Sequence, residues 1–159
     1  MRRLLVLLLA LSAAACSTGP EEPPDTIVVK FADAPTDSDV AALRAVGGST
    51  HRTIALARAV AMRAAAALAA RYQAVPGVRE VGSLGTEDDP EVSVFITFGV
   101  APTDDDAAFV RATGARSAHI VPDERIVSAV IPLSRVQALS VSDRIVGVDI
   151  SIEPLRPQL

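Results

Sequence analysis

Few residues in this 159-residue sequence have the types and spacing that catalysis or metal binding requires. The segment Gly82-Ser83-Leu84-Gly85 places a serine near two glycines, but it is too short for the turn that activates a hydrolase serine. The acidic run 104–106 has calcium-binding oxygens. However, it lacks the loop glycine, and Ala115 stands where the twelfth-position glutamate is needed. We therefore expect no catalytic, metal or cofactor site, and we expect the protein not to be an enzyme.

Composition excludes further functional classes. The net charge of −4 opposes binding to a polyanion, so we expect no nucleic-acid partner. Aromatic residues make up only 3% of the chain, which leaves little for stacking flat ligands, and we expect no small-molecule substrate. Half of the residues are hydrophobic, which is typical of a globular protein and too apolar for a disordered one. We expect the protein to act by binding another protein.

The first 15 residues have the pattern of a secretory leader. Arg2 and Arg3 precede an apolar run at 4–11 that is too short to span a bilayer. Small residues then lead to Cys16, the only cysteine, and this arrangement resembles the lipobox of bacterial lipoproteins. The resemblance implies a lipidated Cys16 on a tether at 16–24 and export to a bacterial membrane, the outer one if the host has two. The alternative is an ordinary leader followed by an incidental cysteine.

The rest of the chain is a duplication. Residues 31–47 and 98–114 align at a constant offset of 67, with ten identities in seventeen positions. A period of this length is too long for a solenoid unit and fits a duplicated small domain. We expect a first repeat at 25–84, a linker at 85–90, a second repeat at 91–153 and a C-terminal tail at 154–159.

Periodicity predicts the same order of elements in both repeats. Alternating apolar residues predict opening strands at 27–31 and 92–98. Each opening strand leads to a helix capped by a threonine with an aspartate three residues later. The remaining pattern predicts two further strands, a second helix and a closing strand. In the first repeat it places these two strands at 49–54 and 55–62. The second helix is predicted at 63–74 in the first repeat and at 133–140 in the second. The β-α-β-β-α-β order predicts two tandem ferredoxin-like domains of the α+β class, with antiparallel four-stranded sheets and helices on one face.

Short hydrophobic motifs in both repeats resemble the subtilisin propeptide family, the inhibitor I9 family. The resemblance rests on Ile27-Val28-Val29-Lys30-Phe31 and Val75-Pro76-Gly77-Val78 in the first repeat, and on Val148-Asp149-Ile150-Ser151-Ile152-Glu153-Pro154 in the second. It implies the same βαββαβ fold and a subtilisin-like serine protease as the partner. In that family the sheet packs on surface helices of the protease, and the C-terminal tail enters its cleft. Members act as inhibitors and folding chaperones.

The resemblance also implies protease-contacting residues. Acidic residues of the hairpin turn would cap protease helices, and the tail would enter the cleft. These residues are Asp123, Glu124, Glu153, Pro154, Leu155, Arg156, Pro157, Gln158 and Leu159. The two prolines of the tail remove backbone donors that β-pairing in a cleft would use. No protease follows the repeats in this sequence, so we expect any inhibition to act in trans.

Simpler interpretations of these residues stay open. The two acidic turn residues are common turn formers and need no partner. His51 and His119 fall on corresponding predicted strands and would form a paired site if the repeats brought them together, but they are also ordinary strand residues inherited by duplication. Apart from a protease inhibitor, the pattern fits an adaptor or structural module of the cell envelope.

Overall fold

The computed structural model describes residues 23–154, which form an α+β protein with two antiparallel sheets. The first repeat contains β1 (Asp25–Phe31), α1 (Asp37–Val46), β2 (Ser49–Ile54), β3 (Ala59–Ala64), α2 (Ala69–Gln73) and β4 (Val78–Ser83). The second contains β5 (Glu91–Phe98), α3 (Asp104–Ala112), β6 (Ser117–Ile120), β7 (Ile126–Pro132) and β8 (Ile145–Ile150), followed by the short strand β9 (Glu153–Pro154). The predicted α+β class and antiparallel sheets are confirmed, but the first sheet has five strands instead of the predicted four, because β9 adds to its edge.

The two sheets repeat the same pairing. Their strand orders are β2-β3-β1-β4-β9 and β6-β7-β5-β8, so the opening strand of each repeat lies in the middle. In the first sheet Val28 pairs with Ala61 and Gly82. In the second sheet Phe95 pairs with Ser128 and Asp149, and each of these three residues lies 67 positions after its counterpart. The register also shifts at the same point of both opening strands. The sequence offset is therefore preserved along the central strands of both sheets.

Both first helices begin at the predicted caps. At α1 the Thr36 hydroxyl accepts a hydrogen bond from the Asp39 backbone, while Asp39 accepts one from the Thr36 backbone at 2.8 Å. At α3 the Thr103 backbone donates to Asp106 at 2.7 Å, and Arg144 pairs with the same carboxyl group at 3.0 Å. The acidic run 104–106 thus forms the first turn of α3, where carboxylates are favourable at the positive end of the helix dipole.

The second helices differ from their prediction. The alanine-rich stretch predicts one helix over 63–74, but β3 extends to Ala64 because its ladder with β1 and β2 outweighs helix propensity. Only a 3₁₀ turn at Ala66–Leu68 and the five-residue α2 follow. In the second repeat Leu133–Val141 is a 3₁₀ helix. Its buried residues recur every three positions, which matches three residues per turn.

The third strand of the first repeat also begins later than predicted. Ala55–Ala57 form a 3₁₀ turn, and Arg58 then adopts a left-handed conformation with φ of 50° before β3 starts at Ala59. The turn lies against β8 of the second repeat. A strand starting at Ala55 is therefore replaced by a segment that packs between the repeats.

Two hydrophobic clusters form the core. The first lies between the first sheet and its own helices and includes Ile27, Val29, Phe31, Leu43 and Tyr72. The second is the core of the second repeat. It also takes in Ala57 of the 3₁₀ turn and residues on the opposite face of the first sheet, namely Val28, Ile54, Ala59 and Ala61. Since both faces of the first sheet are buried, its second face is covered by the second repeat.

The chain returns to the first sheet after β8. Strand β9 pairs with β4, with Glu153 opposite Ser83 and Pro154 opposite Gly82. A Cβ atom at Gly82 would lie 2.6 Å from the Glu153 carbonyl oxygen and 2.8 Å from the Ile152 Cβ, both closer than packed atoms allow. Glycine at this position is what permits the second repeat to attach to the edge of the first sheet.

We predict that Gly82→Ala lowers the free energy of unfolding by about 1–3 kcal/mol, because the added methyl group meets backbone that can only move by displacing β9. Gly147→Ala is the matched control, since nothing lies within 4 Å of a Cβ there and its effect should stay within about 0.5 kcal/mol. Urea unfolding of both variants measures the difference. Equal stabilities would show that the close approach at Gly82 does not hold β9.

Candidate protein-interaction surface

The structure places the predicted site residues in separate regions. Asp123 and Glu124 are exposed in the turn between β6 and β7, where Asp123 has a φ of 61°. The turn lies at the Thr97 end of β5, because Thr97 pairs with Ile126 just after the turn. The chain that leads to β9 lies at the other end, where the Ser151 backbone donates to the Ser93 carbonyl oxygen. The acidic turn and β9 therefore lie at opposite ends of the second sheet.

Other predicted residues fall partly or wholly outside the described part of the chain. Glu153 and Pro154 lie in β9, paired with the first sheet. The remaining tail residues (Leu155, Arg156, Pro157, Gln158 and Leu159) lie outside the described residues, as do Cys16, its leader and most of its tether. The two histidines are in different sheets. His119 is exposed on β6 of the second sheet, and His51 is on β2 of the first.

The open face of the second sheet is the sheet face that remains accessible in residues 23–154. Phe95, in its central strand, is 46% exposed, and its strand neighbours Ser93 and Thr97 are exposed as well. The corresponding position of the first sheet is Val28, which is 0% exposed under the second repeat. The same strand register thus gives a covered face in one repeat and an open face in the other.

Polar contacts fix the second repeat against the first. The Lys30 ammonium lies 3.1 Å from Glu80 on the neighbouring strand and 2.8 Å from Asp149 of the second repeat. Arg52 donates to the Ser134 carbonyl oxygen, also across the repeats, at 2.8 Å. Lys30 is largely buried, while Asp149 is mostly exposed. The ion pair therefore lies at the edge of the contact, where water screens it in part.

The linker is held by one arginine. Arg63 donates to the Thr26 hydroxyl at 2.8 Å and to the carbonyl oxygens of Thr86 and Glu87, and it pairs with Asp88 at 3.3 Å. The Thr26 hydroxyl in turn donates to the Glu87 carbonyl oxygen at 2.8 Å. The connection between the repeats is therefore an ordered part of the interface.

A groove of about 650 Å³ lies between the repeats next to the open face. Its wall in the first repeat includes Lys30, Arg58 and Glu80, and its wall in the second includes Gly147 and Asp149. Arg58 donates to the Ala32 carbonyl oxygen at 3.0 Å. The groove is lined with charges of both signs, which suits a polypeptide segment better than an apolar ligand.

Among residues 23–154, two ionisable groups have clearly shifted pKa values, and neither lines the groove. Hydrogen bonds from the Thr36 side chain and backbone lower the pKa of Asp39. The pKa of Asp39 is lower in the folded protein than in the unfolded chain. Its ionised carboxylate therefore stabilises the fold at pH values above the unfolded pKa, and this stabilisation is lost as the pH falls through the folded pKa. Burial raises the pKa of Tyr72, with Arg71 opposing the shift, and its hydroxyl donates to the Gly47 carbonyl oxygen. Both groups support the first repeat.

Residues 23–154 contain no group of three or more His, Cys, Asp or Glu side chains that could hold a metal ion. Within the same residues no helix has the length and hydropathy needed to cross a membrane. The chain matches no protein-family model, no curated protein and no solved structure.

Sequence reasoning missed the contacts between the repeats, although the duplication carries a signal for them. At the offset of 67, Val28 corresponds to Phe95, Lys30 to Thr97, and Gly82 to Asp149. All three positions on the first repeat lie at the contact with the second. On the sheet face that points away from the helices, positions where the aligned repeats carry different residue types therefore mark the interface.

We predict that Lys30→Met lowers the free energy of unfolding by about 0.5–1 kcal/mol at low salt, because two carboxylates lose their shared cation. The loss should shrink as salt is added, since Asp149 is mostly exposed. Denaturant unfolding at two salt concentrations measures this. Arg116→Met is the control, because its pair with Glu91 is exposed and lies within the second repeat. A salt-independent loss would contradict the electrostatic explanation.

Proposed function

We propose that the protein is a non-catalytic, protein-binding lipoprotein that inhibits, or assists the folding of, a subtilisin-like serine protease. The observation that carries this proposal is the accessible face of the second sheet, with Phe95 at its centre. A sheet face of this kind is the surface with which the resembled propeptides contact their proteases. The second repeat would therefore be the binding unit, and the first its support.

The strand order supports a finer description of the fold. In each repeat the opening strand lies between the third and fourth strands, and the second strand is at an edge. Helix α1 packs its Leu43 on one face of the first sheet, and α3 packs its Val110 on the second. We propose that both repeats are ferredoxin-like, propeptide-like domains, with boundaries at 25–84 and 91–153 and a linker at 85–90.

Phe95 has the features of a binding anchor. It is a large apolar residue surrounded by small or polar neighbours, with Ser128 opposite on β7 and Asp149 opposite on β8. Interface hot spots are often single aromatic residues that become fully buried on binding. In this proposal Phe95 packs between helices of the protease, and the exposed turn residues Asp123 and Glu124 cap those helices at the Thr97 end.

The lipid anchor would set where the protein acts. A lipidated Cys16 and the tether at 16–24 would hold the repeats outside a bacterial membrane, the outer one if the host has two. The partner would then be an exported protease encountered at the cell envelope.

A second candidate function is an envelope adaptor that has kept the fold without inhibitory activity. The pairing of β9 with β4 favours it, because Glu153 and Pro154 are committed to the first sheet instead of forming a free tail. In the inhibitor hypothesis only residues 155–159 remain to enter a cleft, whereas an adaptor would use the sheet face alone.

Titration of a subtilisin-type protease with the soluble protein from Ser17 to Leu159 separates these functions. An inhibitor should reduce residual protease activity in proportion to its concentration, and a variant that stops after Pro154 should lose most of this effect while keeping β9. An adaptor should leave the protease active with either variant. Digestion of the protein without inhibition would also count against the inhibitor hypothesis.

Substitution of Phe95 tests the binding face directly. We predict that Phe95→Asp weakens protease binding at least about 30-fold, because loss of a hot-spot side chain costs about 2 kcal/mol or more. Val141→Asp is the matched control, since Val141 is 80% exposed on the 3₁₀ helix and not on the sheet face. Affinity measured by surface plasmon resonance on an inactivated protease gives the comparison. Equal affinities for both variants would exclude this face as the binding surface.

A further inference from the structure

Three valines of the second repeat are exposed to solvent. Val100, Val141 and Val146 are 58%, 80% and 62% exposed, and together with Phe95 they are the exposed large hydrophobic residues of the chain from 23 to 154. Single exposed apolar residues are common on protein surfaces, but several in one patch mark an interaction surface. Their position relative to one another therefore decides what they mean.

The three valines lie at the same end of the second sheet. A Cβ atom at Gly99 would be 3.4 Å from the Val146 Cγ1 atom, and Val100 is the residue after Gly99. Val141 ends the 3₁₀ helix that leads into β8, and β8 begins beside the last residue of β5. We call the surface formed by these three valines the valine end.

The first repeat has no such surface. At the offset of 67 the three valines correspond to Asp33, Ala74 and Arg79. All three of these residues are exposed, so the equivalent positions are open to solvent in both repeats. Only the second repeat therefore carries large apolar side chains there, and its own packing does not account for them.

Carboxylates lie on one side of the valine end. Asp123 and Glu124 are exposed in the turn between β6 and β7, which is at the same end of the sheet because Thr97 pairs with Ile126. Within residues 23–154 neither carboxylate forms an ion pair. This acidic turn is therefore open to a cationic partner.

Cations lie on the other side. The groove between the repeats adjoins β8, and Arg58 and Arg79 line it together with Thr97. Both arginines are exposed, and neither pairs with a carboxylate in the described part of the chain. Because the strand order is β6-β7-β5-β8, the acidic turn, the valine end and the two arginines follow one another across the molecule.

This order makes the surface complementary to itself. A two-fold axis through the valine end exchanges its two sides, so the acidic turn of each copy meets the arginines of the other. The valines of both copies then form an apolar centre inside a charged rim, which is the usual arrangement of a protein interface. We propose that the valine end is the interface of a symmetric homodimer, in which Glu124 of each copy lies against Arg58 and Arg79 of the other.

The dimer goes beyond the proposed function and does not depend on it. In the dimer Asp123 and Glu124 would be engaged by the second copy, so they would not be available to cap helices of a protease. Self-association and the proposed protease contact would then compete for the same turn. Measuring the dimer requires no protease, so the two proposals succeed or fail separately.

Reversing the charge on either side should weaken the dimer. Glu124→Arg and Arg79→Glu are suitable, whereas Asp123 and Arg58 have positive φ values and their replacement would disturb the backbone. In the soluble protein from Ser17 to Leu159, each variant brings like charges together at both contacts of the dimer. We expect its dissociation constant to rise at least about tenfold, as measured by sedimentation velocity over a range of concentrations.

Mixing the two variants tests the symmetry of the interface. In a mixed dimer the reversed turn of one variant faces the reversed groove of the other, and the two unaltered sides face each other. Both contacts then regain opposite charges. At a concentration where each variant alone is monomeric, we expect the equimolar mixture to sediment as a dimer.

Arg111→Glu is the matched control, because it changes the net charge by the same amount as Arg79→Glu. Helix α3 begins at the valine end, where Asp106 pairs with Arg144, and Arg111 is exposed in its last turn. This variant should dimerise like the parent protein. Equal weakening by Arg111→Glu and Arg79→Glu would show that net charge acts instead of the proposed contact, and would overturn the proposal.

The apolar centre requires its own variant. Val146→Asp should raise the dissociation constant at least about tenfold, because the dimer would bury an unpaired carboxylate, while the exposed position leaves the fold intact. A Val146→Asp variant that dimerises like the parent protein would overturn the proposal. So would a parent protein that stays monomeric up to about 1 mM, or a mixture of the two reversed variants that stays monomeric where the parent dimerises.

Discussion

Burial of the second face of the first sheet is the constraint on which this structure depends. A repeat of about 60 residues buries too little surface to be robust alone, and its helices cover only one side of its sheet. Val28, Ala59 and Ala61 lie on the other side, and the second repeat covers all three. The linker clamp at Arg63, the ion pair of Lys30 and the attachment of β9 are arranged around this contact.

The duplication has diverged where this contact forms. Residues facing the helices remain apolar in both repeats, as with Ile27 and Val94, because each sheet still covers its own helices. On the other face the first repeat carries Val28 and Gly82, which allow close packing, while the second carries Phe95 and Asp149. One copy has become a scaffold, and the other keeps an accessible surface.

The sequence predicts features that depend on nearby residues, such as strand alternation and helix caps. It does not predict how the two repeats pack on each other. The alternation of β5 and the threonine caps of α1 and α3 depend on neighbours a few residues away, so they were predictable. Helix propensity predicts a longer helix in the alanine-rich stretch because it does not include the pairing of β3 with β1 and β2, which holds residues 59–64 as a strand. Exposure of Phe95 and the position of the groove depend on how the repeats pack, which no local pattern specifies.

The return of β9 to the first sheet also constrains how the protein is made. The first repeat leaves the ribosome with one sheet face bare and the outer edge of β4 unpaired. Its covering partner comes from the second repeat, and Glu153 and Pro154 are translated after all the other described residues. The amino-terminal repeat therefore reaches its final stability only when synthesis of both is nearly complete. The shared core and the β9 pairing therefore make the stability of the first repeat depend on the folding of the second.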